Sequence, residues 1–335
     1  MFYLVTHTTQ FRYSNPVRES VTEVRMHPRS EGFQRCLSFE LAVEPRARIL
    51  GYRDAEGNSI HHFNIPGAHT ELLITAESIV EMQTPPRIPD HLDMSAWADL
   101  DEAVEAGDYL DYLLPSRFTH STPLLRELAT ELSLSRTDGD PLTLLHRTNS
   151  EIYQRFSYVP ASTRVDSPID EALRARGGVC QDFTHIMITL MRDLGVPARY
   201  CSGYLYHAKS EHDRSTPGAT HAWMEAYLPR FGWVGFDPTN DLLTGTRHIR
   251  TAIGRDYADV PPTRGIYEGR SKTELRVGVN VSPTNAPRAE RMPSPSVGWS
   301  SAAGATTAVP YTPYDAGAVQ EQSRYEQAPQ QQQQG

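Results

Sequence analysis

The sequence has few cysteines, no long apolar run and no excess of basic residues. Its 335 residues include only three cysteines, Cys36, Cys180 and Cys201, which are widely spaced and form no CxxC pair. A disulfide framework or zinc ribbon is therefore not expected, and a reducing compartment, the cytoplasm, is predicted. The sequence contains no run of about 18 apolar residues, so a membrane span is not expected. The N-terminus also lacks the basic start, apolar block and cleavage site of a secretory signal.

The charge balance argues against one large class of partners. The formal net charge is −9 at pH 7, whereas a nucleic-acid-binding domain usually shows a basic excess. With 39% hydrophobic residues, the composition is ordinary for a soluble globular protein that is long enough for two domains. We therefore predict no nucleic-acid partner and no membrane partner, and the oligomeric state is left open.

The first 85 residues are predicted to form a small all-β domain. Four segments carry Val, Ile, Thr, Tyr and Phe with partial alternation, namely 3–13, 20–26, 37–43 and 72–82. Residues 54–58 (DAEGN) indicate a hairpin turn, because Gly and Asn tolerate a positive φ. These features favour a sandwich-like module at 1–85. Prolines then interrupt the pattern, so 86–118 is predicted to be a linker.

Helix signals appear in the next segment, which we assign as a core domain over 119–282. Thr122, Asp140 and Ser167 each precede a proline, which is the usual pattern of a capping side chain before the first helical turn. Another helix is predicted from Cys180, because six apolar residues after it fall on one face. Strands are predicted at 198–206, 221–228, 233–237 and 275–281. Residues 283–335 are rich in Pro, Ala and Gln and are predicted to be disordered.

Cys180 is the candidate nucleophile. It follows Gly177 and Gly178 and opens the apolar-striped helix. Unpaired N–H groups and the helix dipole stabilise a thiolate at such a position. The N–H group of Cys180 itself is a candidate oxyanion donor. The competing interpretation is that Cys180 is a small buried residue at a helix start, since free cysteines are often buried.

His221 and Asp237 are predicted to lie on the two strands of one hairpin. Because side chains alternate between faces of a strand, both residues can project on the same side. A carboxylate beside a histidine orients the ring and leaves the second ring nitrogen for the thiol. Taken singly, His221 could be a hydrogen-bonded core histidine and Asp237 a turn former before Pro238. Together with Cys180 they predict a nucleophile, a base and an orienting acid.

Three blocks of sequence resemble the transglutaminase-like superfamily. Residues 177–187 (GGVCQDFTHIM) resemble its nucleophile block, 221–227 (HAWMEAY) its histidine block and 232–240 (GWVGFDPTN) its aspartate block, in the order Cys, His, Asp. Residues 1–85 are similar to the N-terminal module of the bacterial members. Residues 248–262 (HIRTAIGRDYADVPP) also resemble the bacterial subgroup.

The resemblance implies an α+β fold: a papain-like transglutaminase core, in which the Cys helix packs on an antiparallel sheet, preceded by a small all-β sandwich-like domain. It also implies a thioester mechanism on peptide or isopeptide amides. The thiolate of Cys180 attacks the carbonyl, His221 protonates the leaving amine, and water or a second amine then attacks. Water gives a cysteine protease or amidase, and an amine gives a transglutaminase. Hydrolysis is favoured, because only a closed, dry site lets an amine compete with water.

Three further residues are candidates for the site. Tyr158 is a candidate for the second oxyanion donor, because related enzymes take that donor from upstream of the Cys block; it could equally be a packing residue. Trp223 and Gly178 are candidate substrate contacts, although Trp223 could equally line the core. Zinc binding by a cysteine and histidine set is not expected, because the spacings fit no compact ligand pair: Cys180, Cys201, His207, His212 and His221. No phosphate or calcium loop is present, so no cofactor is predicted.

Two other classes of function are kept as alternatives. The first is a catalytically silent module that binds peptides, which a missing triad residue would favour; all three residues are present. The second is a structural scaffold that assembles through its β domain.

Overall fold

The N-terminal strands form an antiparallel sheet built around one long strand. The structure is a computed structural model and describes residues 1–107, 109–208 and 211–286. The strands of this region are β1 (Phe2–Val24), β2 (Gln34–Glu44), β3 (Leu50–Arg53), β4 (Ser59–Ile65) and β5 (His69–Met82), arranged in the order β2-β5-β1-β4-β3. Two segments that the sequence analysis separated are joined in β1, which continues through a register shift between Arg12 and Val17. The predicted turn at 54–58 joins β3 to β4.

Helices and short strands follow. They are α1 (Ala96–Glu105), α2 (Pro123–Glu131), α3 (Pro141–Arg155), β6 (Ser157–Tyr158), α4 (Ile169–Ala175) and β7 (Gly177–Gly178). The predicted caps of α2 and α3 are confirmed, since Thr122 accepts from the Leu125 N–H and Asp140 accepts from the Leu142 N–H. The predicted cap of α4 was wrong. Pro168 holds that position, and the hydroxyl of Ser167 donates to Glu171 instead.

The segment predicted as a linker, 86–118, contains structure of its own. It includes α1 and a short 3-10 helix at Leu110–Tyr112, and Trp97 and Leu100 are buried in the core. These two apolar side chains were too few for a periodic signal in the sequence. In the described part of the chain, no helix has both the length and the apolar character needed to cross a bilayer.

A second sheet carries the helix that begins at Cys180. This helix is α5 (Cys180–Asp193), and the strands are β8 (Ala198–Leu205), β9 (His221–Leu228), β10 (Gly232–Asp237), β11 (Leu242–Leu243) and β12 (His248–Gly254). They are antiparallel in the order β11-β10-β9-β8-β12, so β12 is an edge strand. Apolar residues of α5 such as Phe183 and Met187 share one buried cluster with Met224 and Phe236 of the sheet. The predicted α+β core, with its Cys helix on an antiparallel sheet, is thus confirmed.

The chain then returns to the first sheet. Strands β13 (Thr263–Glu268) and β14 (Thr273–Thr284) both pair with β1, so residues 263–284, which the sequence analysis grouped with the core segment 119–282, complete the N-terminal sheet. Alternation marks a strand without showing which sheet it joins, which is why the sequence did not reveal this pairing. The tail predicted at 283–335 lies outside the described residues from 287 onwards.

The two sheets share a buried joint. Tyr3 and Val80 of the first sheet pack with Tyr204 and Ile249 of the second in one apolar cluster. The Tyr204 hydroxyl also lies 2.9 Å from Nδ1 of His7 in β1. The N-terminal region is therefore packed directly on the sheet that carries β9 and β12.

Candidate active site

Cys180 is the first residue of α5 and is 1% exposed. The two glycines before it form β7, which pairs in parallel with Ser157 and Tyr158 of β6. This pairing fixes the backbone directly before the helix. In the first turn of α5, which contains Cys180, the backbone N–H groups have no intrahelical acceptor. A negatively charged sulfur is stabilised at such a position.

Asp182 closes the start of this helix. Its carboxylate accepts from the Val179 N–H at 2.8 Å and from the Thr163 hydroxyl at 2.6 Å. Burial raises the pKa of Asp182 to about 6, although both hydrogen bonds act in the opposite direction. The Asp182 carboxyl group, two residues after Cys180, is therefore expected to gain or lose its proton near pH 6.

Gly178 makes room for Asp182. A Cβ atom at Gly178 would lie 2.7 Å from Oδ2 and 2.9 Å from Cβ of Asp182. The absence of a side chain at this position is thus required by the helix start. A direct contact of Gly178 with substrate, suggested from the sequence, stays a prediction.

His221 and Asp237 meet where β9 begins and β10 ends. The His221 Nε2–H group donates to Oδ2 of Asp237 at 2.7 Å, and the two residues are 4% and 0% exposed. The other ring nitrogen, Nδ1, is buried and has no hydrogen-bond partner among the described residues. Cys180 interacts with this ring electrostatically and raises the pKa of His221. The structure therefore brings the three predicted residues together.

The charges of the pair support each other. Burial alone would lower the pKa of His221, but the charge and hydrogen bond of Asp237, together with Cys180, raise that pKa from 6.5 to about 10. Burial would also raise the pKa of Asp237, and His221 and His248 hold it well below its ordinary range instead. Both shifts favour the charged forms of the pair, an imidazolium beside a carboxylate.

Asp237 accepts hydrogen bonds on both of its oxygens. Oδ1 accepts from the backbone N–H groups of Thr239 (3.0 Å) and Asn240 (3.3 Å). Oδ2 accepts from His221, from Nδ2 of Asn240 (2.8 Å) and from Nε2 of His248 (3.2 Å). Five donors hold this buried carboxylate in one orientation, which fixes the ring of His221 in turn.

His248 is a site residue that the sequence analysis did not single out. The Gly245 N–H donates to Nδ1 of His248 at 3.4 Å. The ring proton therefore lies on Nε2, and this N–H group donates the hydrogen bond to Asp237. Burial lowers the pKa of His248 despite that hydrogen bond, which keeps the ring neutral. The only sequence signal was its place in the block 248–262, and the pairing of β12 with β8 was needed to bring it to Asp237.

Asn240 connects the triad to the loop before β9. Its Oδ1 accepts from the N–H groups of Arg214 (2.8 Å) and Ser215 (3.2 Å), while its Nδ2 donates to Asp237. The loop is thereby held against the carboxylate. This role was also missed, because an Asn after Asp-Pro reads as an ordinary turn residue.

The two aromatic candidates lie in different surroundings. Tyr158 is half-buried and pairs with Gly178, so its backbone runs beside the residues that precede Cys180; its role as an oxyanion donor stays a prediction. Trp223 is 1% exposed and packs edge-on against His248 with ring centroids 5.3 Å apart. Trp223 also shares a buried cluster with Cys201 of β8 and Ile253 of β12, and its contact with a substrate stays a prediction.

One group of side chains has the composition of a metal site. His221, Asp237 and His248 each offer one ligand atom, and these three atoms lie within 4.8 Å of one another. The Nε2–H groups of both histidines already donate hydrogen bonds to Oδ2 of Asp237, so these three atoms are engaged with one another. This arrangement fits an oriented carboxylate better than an ion. Of the set weighed for zinc, His207 pairs with Asp213 and Cys201 packs beside Trp223.

Comparison with known proteins matches both parts of the chain. Residues 3–81 match the family model described as the bacterial transglutaminase-like N-terminal region, and 127–238 match that of the transglutaminase-like superfamily. An uncharacterised protein of Mycobacterium tuberculosis is 37% identical over 297 residues, which cover 84% of this chain and 92% of the relative. A Pseudomonas aeruginosa protein named protein-glutamine gamma-glutamyltransferase is 30% identical over 166 residues, covering 45% of this chain and 24% of that protein.

A solved structure supports the fold. It comes from Cytophaga hutchinsonii, and its protein is named as a candidate cysteine protease. The TM-score is 0.67 at 23% identity, and the match covers 85% of this chain and 92% of that one. The likeness therefore extends over the N-terminal sheet and the helix-bearing core together.

Proposed function

This chain belongs to the transglutaminase-like superfamily, and on that premise we propose that it is a thiol acyl-transfer enzyme that acts on peptide or isopeptide amides. The observation that carries the proposal is the hydrogen bond between His221 and Asp237, which leaves Nδ1 of the buried imidazole for the thiol of Cys180. A nucleophile at a helix start, a base and an orienting carboxylate are the groups that thioester chemistry needs.

The proposed reaction has two steps. The sulfur of Cys180 bonds to the carbonyl carbon, and the C–N bond breaks as the imidazolium of His221 gives its Nδ1 proton to the leaving amine. In the second step, a water molecule attacks the thioester carbonyl through its oxygen, and His221 takes a proton from that water. The acid then leaves, and the thiolate is restored. Asp237 accepts the hydrogen bond from Nε2 of His221 throughout the reaction, so Nδ1 is the ring nitrogen that gives and takes protons.

The oxyanion of each tetrahedral intermediate needs fixed donors. The N–H group of Cys180 is proposed as the first, because it lies in the first turn of α5. Tyr158 is proposed as the second, because β6 runs alongside β7 directly before the nucleophile. A Tyr158→Phe variant, which lacks only the hydroxyl, tests whether the side chain contributes.

We propose hydrolysis as the main outcome, since water competes with any amine unless the site is closed and dry. Transfer to an amine is the second candidate, and the name of the Pseudomonas aeruginosa relative favours it. We further propose a reducing compartment such as the cytoplasm, where the nucleophile stays a free thiol; all three cysteines are unpaired.

A peptide screen with two readouts tests the proposal. The full chain is incubated with a library of glutamine-containing and branched peptides, with and without a primary amine such as cadaverine. Mass spectrometry then identifies hydrolysed, amine-coupled and Cys180-acylated products. Cys180→Ala is expected to remove all three, whereas Cys36→Ala, on the N-terminal sheet, is expected to retain them. Turnover that survives in Cys180→Ala would refute the mechanism, and peptide binding without any product would favour the silent binding module.

A further inference from the structure

The edge strand β12 is completed by side chains of the N-terminal region. At Arg250, the Nε2–H group of Gln34 donates to the backbone carbonyl at 2.8 Å, and the backbone N–H donates back to Oε1 at 2.8 Å. At Ile253, Asn58 makes the same pair of contacts at 2.8 and 2.9 Å. Each side-chain amide therefore binds one donor and one acceptor of β12, as the backbone of a neighbouring strand would.

These two amides are themselves held in place. Gln34 and Asn58 are 4% and 1% exposed. Asn58 also accepts from Arg29 at 2.6 Å and donates to Asp54 at 3.0 Å, and the Arg29 N–H donates to the Arg250 carbonyl at 3.0 Å. A buried amide whose groups are all paired is difficult to replace, because the loss of one partner leaves another unsatisfied.

The same strand begins at His248, which donates to Asp237. Arg250, two residues later, adds a second tie, because its guanidinium pairs with Glu225 of β9 and with Glu31 of the N-terminal region. A continuous path of bonds thus runs from Gln34 through β12 to His248, Asp237 and His221. No other strand among the described elements of the second sheet pairs with β12 on its outer side.

We propose that the N-terminal β region is a positioning element for the triad. Gln34 and Asn58 hold β12 in register, and β12 holds His248 against Asp237. The expected effect on the thiol rests on the proposed function, whereas the expected effect on the hydrogen bond between His248 and Asp237 does not. The two can therefore be measured separately.

Proton NMR of the full chain with 15N-labelled histidine tests the hydrogen bond. In the wild type, the Nε2–H groups of His221 and His248 are expected to give sharp signals, because hydrogen bonding and burial slow their exchange with water. The variants Gln34→Leu and Asn58→Leu each remove two hydrogen bonds to β12, and each is expected to broaden or remove the His248 signal. The matched control is Asn64→Leu, an exposed amide on the same sheet, which is expected to leave both signals unchanged.

If the leucine variants do not fold, Gln34→Met provides a change closer in shape. It keeps the length of the side chain and adds no charge, and it loses both hydrogen bonds to Arg250. Circular dichroism establishes that the variant is folded. A His248 signal that persists unchanged in a folded Gln34 or Asn58 variant would overturn the proposal.

A double-mutant cycle on the thiol tests the path itself. The rate of Cys180 alkylation by iodoacetamide at pH 7 is measured for Gln34→Met, His248→Leu and the combination. Gln34→Met is expected to slow alkylation by about tenfold in the wild-type background, as the loss of a hydrogen-bonding partner would. It should change the rate less than about twofold when His248 is already absent, because coupled residues are not additive. His248→Gln, which retains an N–H donor, is expected to restore part of the rate.

The outcomes separate the two proposals. Equal slowing by Gln34→Met in both backgrounds would indicate general destabilisation and would refute a path through His248. A wild-type Cys180 that does not react would refute the proposed nucleophile, and the NMR signals would still decide whether the N-terminal region positions His248.

Discussion

The imidazole of His221 and the carboxylate of Asp237 are joined by a hydrogen bond of 2.7 Å between two fully buried strand ends. Neither group can be solvated by water at that depth, so each depends on the other for its charge. This dependence makes Asp237 more than an orienting residue, because its charge is also what keeps His221 protonated.

Asp237→Asn is expected to lower the pKa of His221, because burial then acts without the opposing carboxylate. Cys180 then loses the imidazolium beside it at neutral pH, and its alkylation should slow on the order of a hundredfold or more. The measurement is the rate of iodoacetamide labelling from pH 5 to 10. An unchanged pH profile in Asp237→Asn would contradict the assigned role. Asp241→Asn, close by in sequence but bonded to α3, serves as the control.

Stability should also depend on this pair. The pKa of His221 is about 10 in the folded chain and about 6.5 when unfolded, so the folded state retains a proton that the unfolded state releases between these values. The stabilisation is complete below about pH 6.5 and is lost as the pH rises towards 10. Urea unfolding at intervals over this range should therefore give a falling free energy of unfolding.

The slope should be smaller in Asp237→Asn, whose His221 no longer binds the extra proton. His120→Gln, which changes an exposed histidine, should reproduce the wild-type slope. A free energy of unfolding that stays constant in the wild type between pH 6.5 and 10 would show that His221 is neutral in the folded state.

The three candidate residues stand in local patterns, because Cys180 begins an amphipathic helix and His221 and Asp237 lie on strands of one hairpin. Each pattern alone also had a structural explanation, and the resemblance of three sequence blocks to the transglutaminase-like superfamily joined them into a predicted triad. The partners of Asp237 were not accessible in this way. His248 reaches it only through the pairing of β12 with β8, and Gln34 reaches β12 from 216 residues away. Such contacts depend on how sheets are assembled, which alternation along a strand does not encode.

The same limit explains the C-terminal strands. Residues 275–281 were recognised as a strand, yet their partner is β1 at the opposite end of the described chain. Trp223 illustrates the reverse case. Its strand and face were predicted, but its burial rests on contacts with Ile253 and His248 of β12, which the sequence did not reveal.

Asp182→Asn is expected to stabilise the chain as the pH rises above about 4. The pKa of Asp182 is raised to about 6 by burial, so the folded state holds a proton that the unfolded state loses between about pH 4 and 6. Wild-type stability should fall over this window by about 2–3 kcal/mol, and an uncharged Asn should remove that fall. The comparison is made by urea unfolding at pH 4, 5, 6 and 7. Parallel curves for both proteins would show that Asp182 titrates normally.

Gly178→Ala tests the steric requirement at the helix start. The new Cβ would lie 2.9 Å from Cβ of Asp182, an atom fixed by α5, so the helix and β7 must move apart. Such overpacking should lower the free energy of unfolding by about 1–3 kcal/mol. It should also slow alkylation of Cys180, because the first turn of the helix is displaced. Gly67→Ala, where a Cβ meets no atom within 4 Å, is the matched control and should change neither quantity. If Gly178→Ala is as stable and as reactive as the wild type, the close approach of Asp182 is not what requires glycine at this position.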